Sequence, residues 1–474
     1  MDRQLRWYDY LTINIYWFAL TTRSQVLSPL IVPVLVQRFA GDAVKGTYVG
    51  RMRLWALMAA VLMQAAMGML SDRSTSRWGR RRPFIVIGTL GELAILALIG
   101  AAAVLEGMTG YWVLFGLYTL SMIASNTAHA ATQGLIPDLV PEDQRGRFSG
   151  VKALLELPVP LIFSSFVVAK MVEVGDIWGA LIALMAVMVV CAAITMFAPE
   201  RRLSKHPTDS AAQLLLRLTL MTAAFTVIIL GAGAVVSAVM QGIAHLSDGL
   251  SSVLIVIAGV AGMATAILAG VWICVSISLG RGVRQHHSFV WWVVTRLAFL
   301  AAATNLATFM IYYLQERFPG LAGEKAAGPA AQIMMFVGIF IMVTAVPSGW
   351  LADRFGKRLL VGLSGAIAAV GISVILLVPV MPAMYAGGSL IGAAMGLFYS
   401  ANWALGTEIV PQDEAGRYLG LSNIAGAGAG AIGAYVGGPI GDQYGYVVLF
   451  VIYGAMFLLS ILALTGVRER VAHA

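Results

Sequence analysis

The chain has 474 residues, 59% apolar and 11% charged, with a mean hydropathy of +0.84 and a net charge of +8. Soluble chains carry about a quarter charged residues, so this composition excludes an ordinary soluble domain. The basic excess sits in short loops beside apolar runs, which excludes a nucleic-acid-binding surface and marks a polytopic membrane protein.

Apolar runs of about 20 residues recur along the whole length, so lipid is the solvent for most of the chain. Runs without alternation favour helices over a barrel, because each span must satisfy its own backbone bonds. Fourteen helices are expected, at roughly 10–36, 50–70, 83–105, 110–135, 149–172, 178–198, 212–242, 250–279, 288–314, 329–350, 358–380, 383–406, 417–438 and 445–467. No cleavage-site pattern follows Met1 to Tyr10, so the first span is expected to act as its own insertion signal. Of the basic residues, Arg38, Lys45, Arg51, Arg53, Lys170, Arg317 and Lys325 fall on one side under this count. The rest, including Lys152 but not Arg23 and Arg296 within the spans, fall on the other, which places both termini in the cytoplasm of a cell inner (plasma) membrane.

Span one carries Arg23 in the middle of the polar cluster Thr21-Thr22-Arg23-Ser24-Gln25. A charge at that depth costs several kcal/mol on insertion scales, so it is expected to be paired or to line a cavity. Arg23 is therefore expected to be a substrate or gating residue; the alternative is a structural ion pair with Glu92 in span three or Glu156 in span five, beside Pro158 and Pro160. After span two comes Gly68-Met-Leu-Ser-Asp72-Arg73, running on to Gly79-Arg80-Arg81-Arg82. An aspartate at a helix end, a glycine turn and clustered arginines can form charge-assisted bonds across a helix junction. Asp72, Arg73 and Arg80 are therefore expected in a cytosolic gate, whereas the plain alternative is a topology signal alone. Span four is unusually polar, and Asn126, His129 and Gln133 share one helix face. Such a face suits a neutral polyol; His129 could titrate, or simply hydrogen-bond a neighbouring helix.

Spans seven and eight are rich in Gly, Ala and Val and read as an inserted hairpin packed on lipid or the bundle flank. Thr208 to Gln213 and Gly280 to Ser288 are its linkers. Span nine holds Arg296 and Asn305, and span ten Gln332. Arg296 is open to either a gate role or snorkelling to the interface. Next, the loop signature returns as Gly349-Trp-Leu-Ala-Asp353-Arg354-Phe-Gly356-Lys357-Arg358, adding Asp353, Arg354 and Arg358 to the gate. Tyr399 and Asn402 in span twelve complete the cavity candidates; aligning Asp138 with Glu408 sets Asn402 opposite Thr132. In span thirteen, Gly426-Ala-Gly428-Ala-Gly430 and its continuation to Gly438 suit close helix packing.

A second stretch, Val140-Pro141-Glu-Asp143-Gln-Arg-Gly146-Arg147, returns as Val410-Pro411-Gln-Asp413-Glu-Ala-Gly416-Arg417. Two duplicated signatures in the same order argue for two six-helix repeats, 1–205 and 288–474, separated by a linker and hairpin at 206–287. That is an all-α membrane protein with the architecture of a secondary transporter. Cys191 and Cys274 lie in apolar spans and imply neither a disulfide framework nor a metal site. No nucleophile–base pair, metal-ligand spacing or phosphate loop points to an enzyme, and no cofactor is expected.

The doubled Gly-x-x-x-Asp-Arg-x-Gly-Arg/Lys-Arg pattern resembles the major facilitator superfamily. The longer first copy, Ser76-Arg77-Trp78-Gly79-Arg80-Arg81-Arg82-Pro83-Phe84-Ile85, is similar to the sucrose/proton symporter and glycoside–pentoside–hexuronide cation symporter group. So is span nine, with Arg296, Asn305 and Tyr312-Tyr313-Leu314. The resemblance implies transport of a sugar or glycoside coupled to protons or sodium. The chain departs from that group at its coupling positions: Gln64 stands alone where span two should carry aspartates, Met122 replaces the acid of span four, and Gln133 replaces its arginine. The extra hairpin is similar to that of the peptide transporters and one class of drug antiporters. The leading expectation is a monomeric, proton-coupled carrier of a small polar solute, with membrane lipids as its other contacts. The alternatives are a multidrug or organic-anion exporter, and a non-transporting membrane sensor or assembly factor on the same scaffold.

Overall fold

The computed structural model describes residues 5–141, 143–200, 211–279, 287–410 and 415–467. They form fourteen long helices and, among the described residues, no strand. The helices are α1 (Asp9–Ala40), α2 (Lys45–Asp72), α3 (Arg82–Ala102), α4 (Gly107–Leu139), α5 (Arg145–Glu173), α6 (Ile177–Thr195), α7 (Ala211–Ile243) and α8 (Asp248–Leu279). After them come α9 (His287–Arg317), α10 (Gly323–Phe355), α11 (Lys357–Leu377), α12 (Met381–Ile409), α13 (Ala415–Tyr444) and α14 (Tyr446–Leu464). All but α13 are long and apolar enough by length and composition to cross a bilayer. α13 stands at the expected thirteenth position.

Proline chemistry shapes two of these helices. Pro29 and Pro33 lack the N–H that an α-helix needs, and α1 widens to a π-segment at Leu27–Ile31. Pro158 and Pro160 interrupt α5 just after Glu156, and a π-segment follows at Ser164–Val168. The loop glycines also have a backbone reason. Gly79 and Gly356, the equivalent positions of the two signature copies, adopt φ of 116° and 93°. Side chains with a Cβ are strained there, so both copies turn on a residue without one.

The chain separates into two compact units. One holds Met1–Phe39, Ala59–Leu218 and Gly323–Ala331; the other holds Ala40–Met58, Thr219–Ala322 and Gln332–Ala474. In the first unit α1 is the core, 78% buried over its apolar stretch; in the second α9 is, at 89%, against 22–61% for the other spans. These are the helices expected to open the two repeats. The inserted hairpin belongs to the second unit, where α8 packs on α9, α13 and α14. Phe225 of α7 seats against Gly270 of α8 and Gly428 of α13. On the other side of α13, Gly433 lies against the Ala301 carbonyl and Asn305 of α9.

Candidate functional site

The first unit contains a buried ion pair. Arg23, on α1, is 3% exposed, and its Nε donates to Glu92 Oε1 on α3 at 2.7 Å. Its Nη2 donates to Ser121 Oγ, and its Nη1 contacts Met122 Sδ at 3.7 Å, both on α4. Ser121 Oγ in turn donates to Glu92 Oε1 at 2.6 Å. Glu92 is fully buried, and its second oxygen, Oε2, has no hydrogen-bond partner among the described residues. One turn along α3, Thr89 donates to the Ile85 carbonyl and so accepts the Tyr16 hydroxyl at 2.6 Å. Three helices thus converge on one carboxylate with an open lone pair.

A second polar cluster lies further toward the arginine-rich loop. Lys152 Nζ sits 3.8 Å above the Trp17 ring and 3.5 Å from Glu156 Oε2. Trp17 meets His129 edge-on at 5.3 Å between ring centroids, and His129 Nε2 bonds Gln133 Nε2 at 3.1 Å. Glu156 therefore partners Lys152, while Arg23 takes Glu92. Asn126 turns its amide back to the Met122 carbonyl of its own helix. Lys152 escaped sequence reasoning because it was counted as a loop charge; the structure puts it two turns inside α5. Arg51 and Arg53 were counted likewise and lie inside α2.

The loop signature forms a network centred on Arg81, which is buried. Its guanidinium reaches Asp72 at 2.5 Å, Asp138 at 2.8 Å and Ser71 Oγ at 2.6 Å. Arg80 bonds the same two acids at 2.8 and 3.5 Å. Glu200 accepts the backbone N–H of Arg81 and of Arg82 at 2.6 and 3.1 Å. Burial pushes the Glu200 carboxyl above its usual range, against the pull of those N–H groups. Arg81, Asp138 and Glu200 were not among the expected gate residues. Their signal was the buried helix start that a run of three arginines must enter.

The second copy is built differently. Asp353 is exposed with no ion pair among the described residues, and Arg354 lies over the Trp350 and Phe355 rings. Lys357 bonds Glu408, the counterpart of Asp138. Arg358 packs beside Leu359. The return of the second stretch falls at 411–414, outside the described residues, as do most of the linker positions and Arg201, Arg202, Lys205, Arg281, Arg284, Arg468 and Arg470.

In the second unit, Arg296 of α9 lies 5.9 Å from the Trp292 ring centroid and 5.7 Å from that of Trp403 on α12. Trp292 Nε1 donates to the Asn402 carbonyl at 2.9 Å. Asn305 is separate: fully buried, it donates to Ala301 O at 2.8 Å, with Oδ1 unpartnered. Gln332 is separate too, accepting the Tyr385 hydroxyl at 2.8 Å.

A family profile, Major Facilitator Superfamily, matches residues 18–315 and 292–474. This chain belongs to the major facilitator superfamily. Among curated proteins it is similar to multidrug resistance protein MdtG of Serratia proteamaculans, 28% identical over 36% of this chain and 41% of that one. It is also similar to the general alpha-glucoside permease of Schizosaccharomyces pombe, 30% identical over 31% of this chain and 29% of the relative. The sucrose transport protein SUC4 of Arabidopsis thaliana is 29% identical over 19% of each chain. The matched segments span less than half of these relatives. Among solved structures, a mutant of the nucleoside transporter NupG superposes with a TM-score of 0.69 at 13% identity, covering 96% of this chain and 99% of that one. A peptide transporter POT bound to sulfate gives 0.66 at 14% identity, covering 98% and 95%. At these identities the likeness establishes the fold. As a member of this superfamily the chain is a multi-pass membrane protein.

Proposed function

We propose that this transporter carries a small polar solute of the sugar or glycoside class by alternating access, coupled to protons through Glu92. The observation that carries the reading is the Arg23–Glu92–Ser121 cluster. A carboxylate held by an arginine on one oxygen and open on the other can exchange a proton while the arginine stays in place. The sugar permeases among the relatives and the polar face of α4 support the solute class. In this reading Lys152, Glu156, His129 and Gln133 contact solute, and Asp72, Arg80 and Arg81 gate the cytosolic side. Residues 1–205 and 288–474 act as the repeats around the 206–287 insert. The protein works as a monomer in the plasma membrane, both termini cytoplasmic.

Reconstituted protein tests this with labelled sucrose and maltose under an imposed pH gradient. Wild type accumulates sugar and stops when an uncoupler is added. Glu92→Gln keeps counterflow of the same sugar but loses accumulation. Sugar flux indifferent to gradient and uncoupler removes the coupling. The similarity to MdtG favours a second reading, export of a drug or organic anion. Dye efflux without any sugar flux selects it.

A further inference from the structure

Arg296 is the counterpoint to Arg23. It lies midway through the third turn of α9, about 13.5 Å along the axis from His287 at 1.5 Å per residue. Among the described residues no carboxylate lies within ion-pair distance of it, and its Nε has no hydrogen-bond partner. Glu408, toward the end of α12, is engaged by Lys357. Two indole rings flank the guanidinium, but a cation–π contact contributes only about 0.5–2 kcal/mol and saturates none of its five donors.

The neighbouring groups have the same character. Asn402 is 1% exposed, its carbonyl takes the Trp292 indole N–H, and neither Oδ1 nor Nδ2 of its side chain has a partner among the described residues. Trp292 is thereby held in one orientation. Trp403 and Tyr399, one turn apart on α12, are 43% and 41% exposed. An arginine between such rings is costly against hydrocarbon, which favours a water-lined face. A planar cation that takes carboxylates in a fork, beside two open aromatic faces, matches a ring that carries a negative charge.

We propose that Arg296, Asn402, Trp403 and Tyr399 form a subsite for the carboxylate end of a ring-bearing anionic solute, such as a glycoside with an acidic aglycone. This rests on the solute reading above and narrows it. Arg296 supplies the paired donors, Asn402 the amide, and Trp403 with Tyr399 the ring faces.

The test is calorimetric binding of two nearly isosteric ligands, 4-carboxyphenyl and 4-carbamoylphenyl β-D-glucoside, to the purified full chain, with phenyl β-D-glucoside as reference. Wild type binds the carboxylate at least tenfold more tightly than the amide. Arg296→Gln abolishes that preference by weakening the carboxylate alone, Arg296→Lys retains part of it, and Trp403→Leu weakens all three ligands. Equal affinity for carboxylate and amide, or a preference that survives Arg296→Gln, overturns the subsite and leaves the sugar reading standing. Binding of none of the three glucosides overturns both. Should Arg296→Gln not fold, the wild-type comparison and Arg296→Lys still decide. Independently, Trp403→Cys in a background lacking Cys191 and Cys274 reacts with a membrane-impermeant thiol reagent in detergent-free nanodiscs; absence of reaction shows a lipid-facing surface and overturns the proposal.

Discussion

At the scale of single residues, what matters is which charge each buried charge meets. Arg23 and Glu92 lie 69 positions apart in sequence and 2.7 Å apart in space. Removing one partner of such a pair leaves the other charged and uncompensated, which costs about 3–5 kcal/mol. Arg23→Ala is therefore expected to lower the thermal midpoint strongly. The double replacement Arg23→Met with Glu92→Leu restores much of it, because an apolar pair of similar volume removes both charges. Differential scanning fluorimetry on the purified variants reads both, and a double variant no more stable than Arg23→Ala contradicts the account. The presence of Arg23, Glu92 and Glu156 at membrane depth was legible in the sequence, since three charges interrupt apolar runs. The choice of Glu92 over Glu156 was not, because helix rotation decides it, and Lys152 claims Glu156 from one turn away on the same helix.

Among elements, remote carboxylates serve helix starts. Glu200 accepts the first N–H groups of α3, Glu316 accepts those of Tyr446 and Val447 at the start of α14, and Asp442 serves α2. The last is the fullest: Asp442 of α13 accepts Gly46 N, Thr47 N and Thr47 Oγ1, each at 2.7 Å, and the Tyr446 hydroxyl at 2.9 Å. Unpaired N–H groups and the helix dipole both favour a negative charge there. Asp442→Asn keeps the shape and removes the charge, and is expected to cost about 1–2 kcal/mol. Urea or thermal unfolding of the variant checks it; no loss of stability means the backbone groups are satisfied by water instead. Helix existence and order were readable from hydropathy; the π-segments beside the prolines of α1 and α5 came only from the structure. The capping acids were invisible, because a cap from another helix has no sequence spacing.

For the molecule as a whole, the arrangement of charge predicts orientation. The arginine-rich loops and both termini are expected on the cytoplasmic face. A C-terminal fluorescent-protein fusion should fluoresce and a C-terminal alkaline phosphatase fusion should be inactive; the reverse pattern inverts the topology. Composition alone determined that this is a helical membrane protein, because 59% apolar residues in runs of span length leave the backbone no other way to bond in lipid. The doubled loop signature was legible in the sequence, since a turn that needs Gly79 or Gly356 and adjacent bases leaves a local pattern. Tertiary structure decided which charges became partners: Arg81 together with Arg80 beside Asp72, Glu92 beside Arg23, and two indoles beside Arg296. Those pairings depend on the azimuth of one helix against another. A sequence records spacing along each axis but not the angle at which neighbouring axes face, and in a bundle of long helices that angle selects the chemistry.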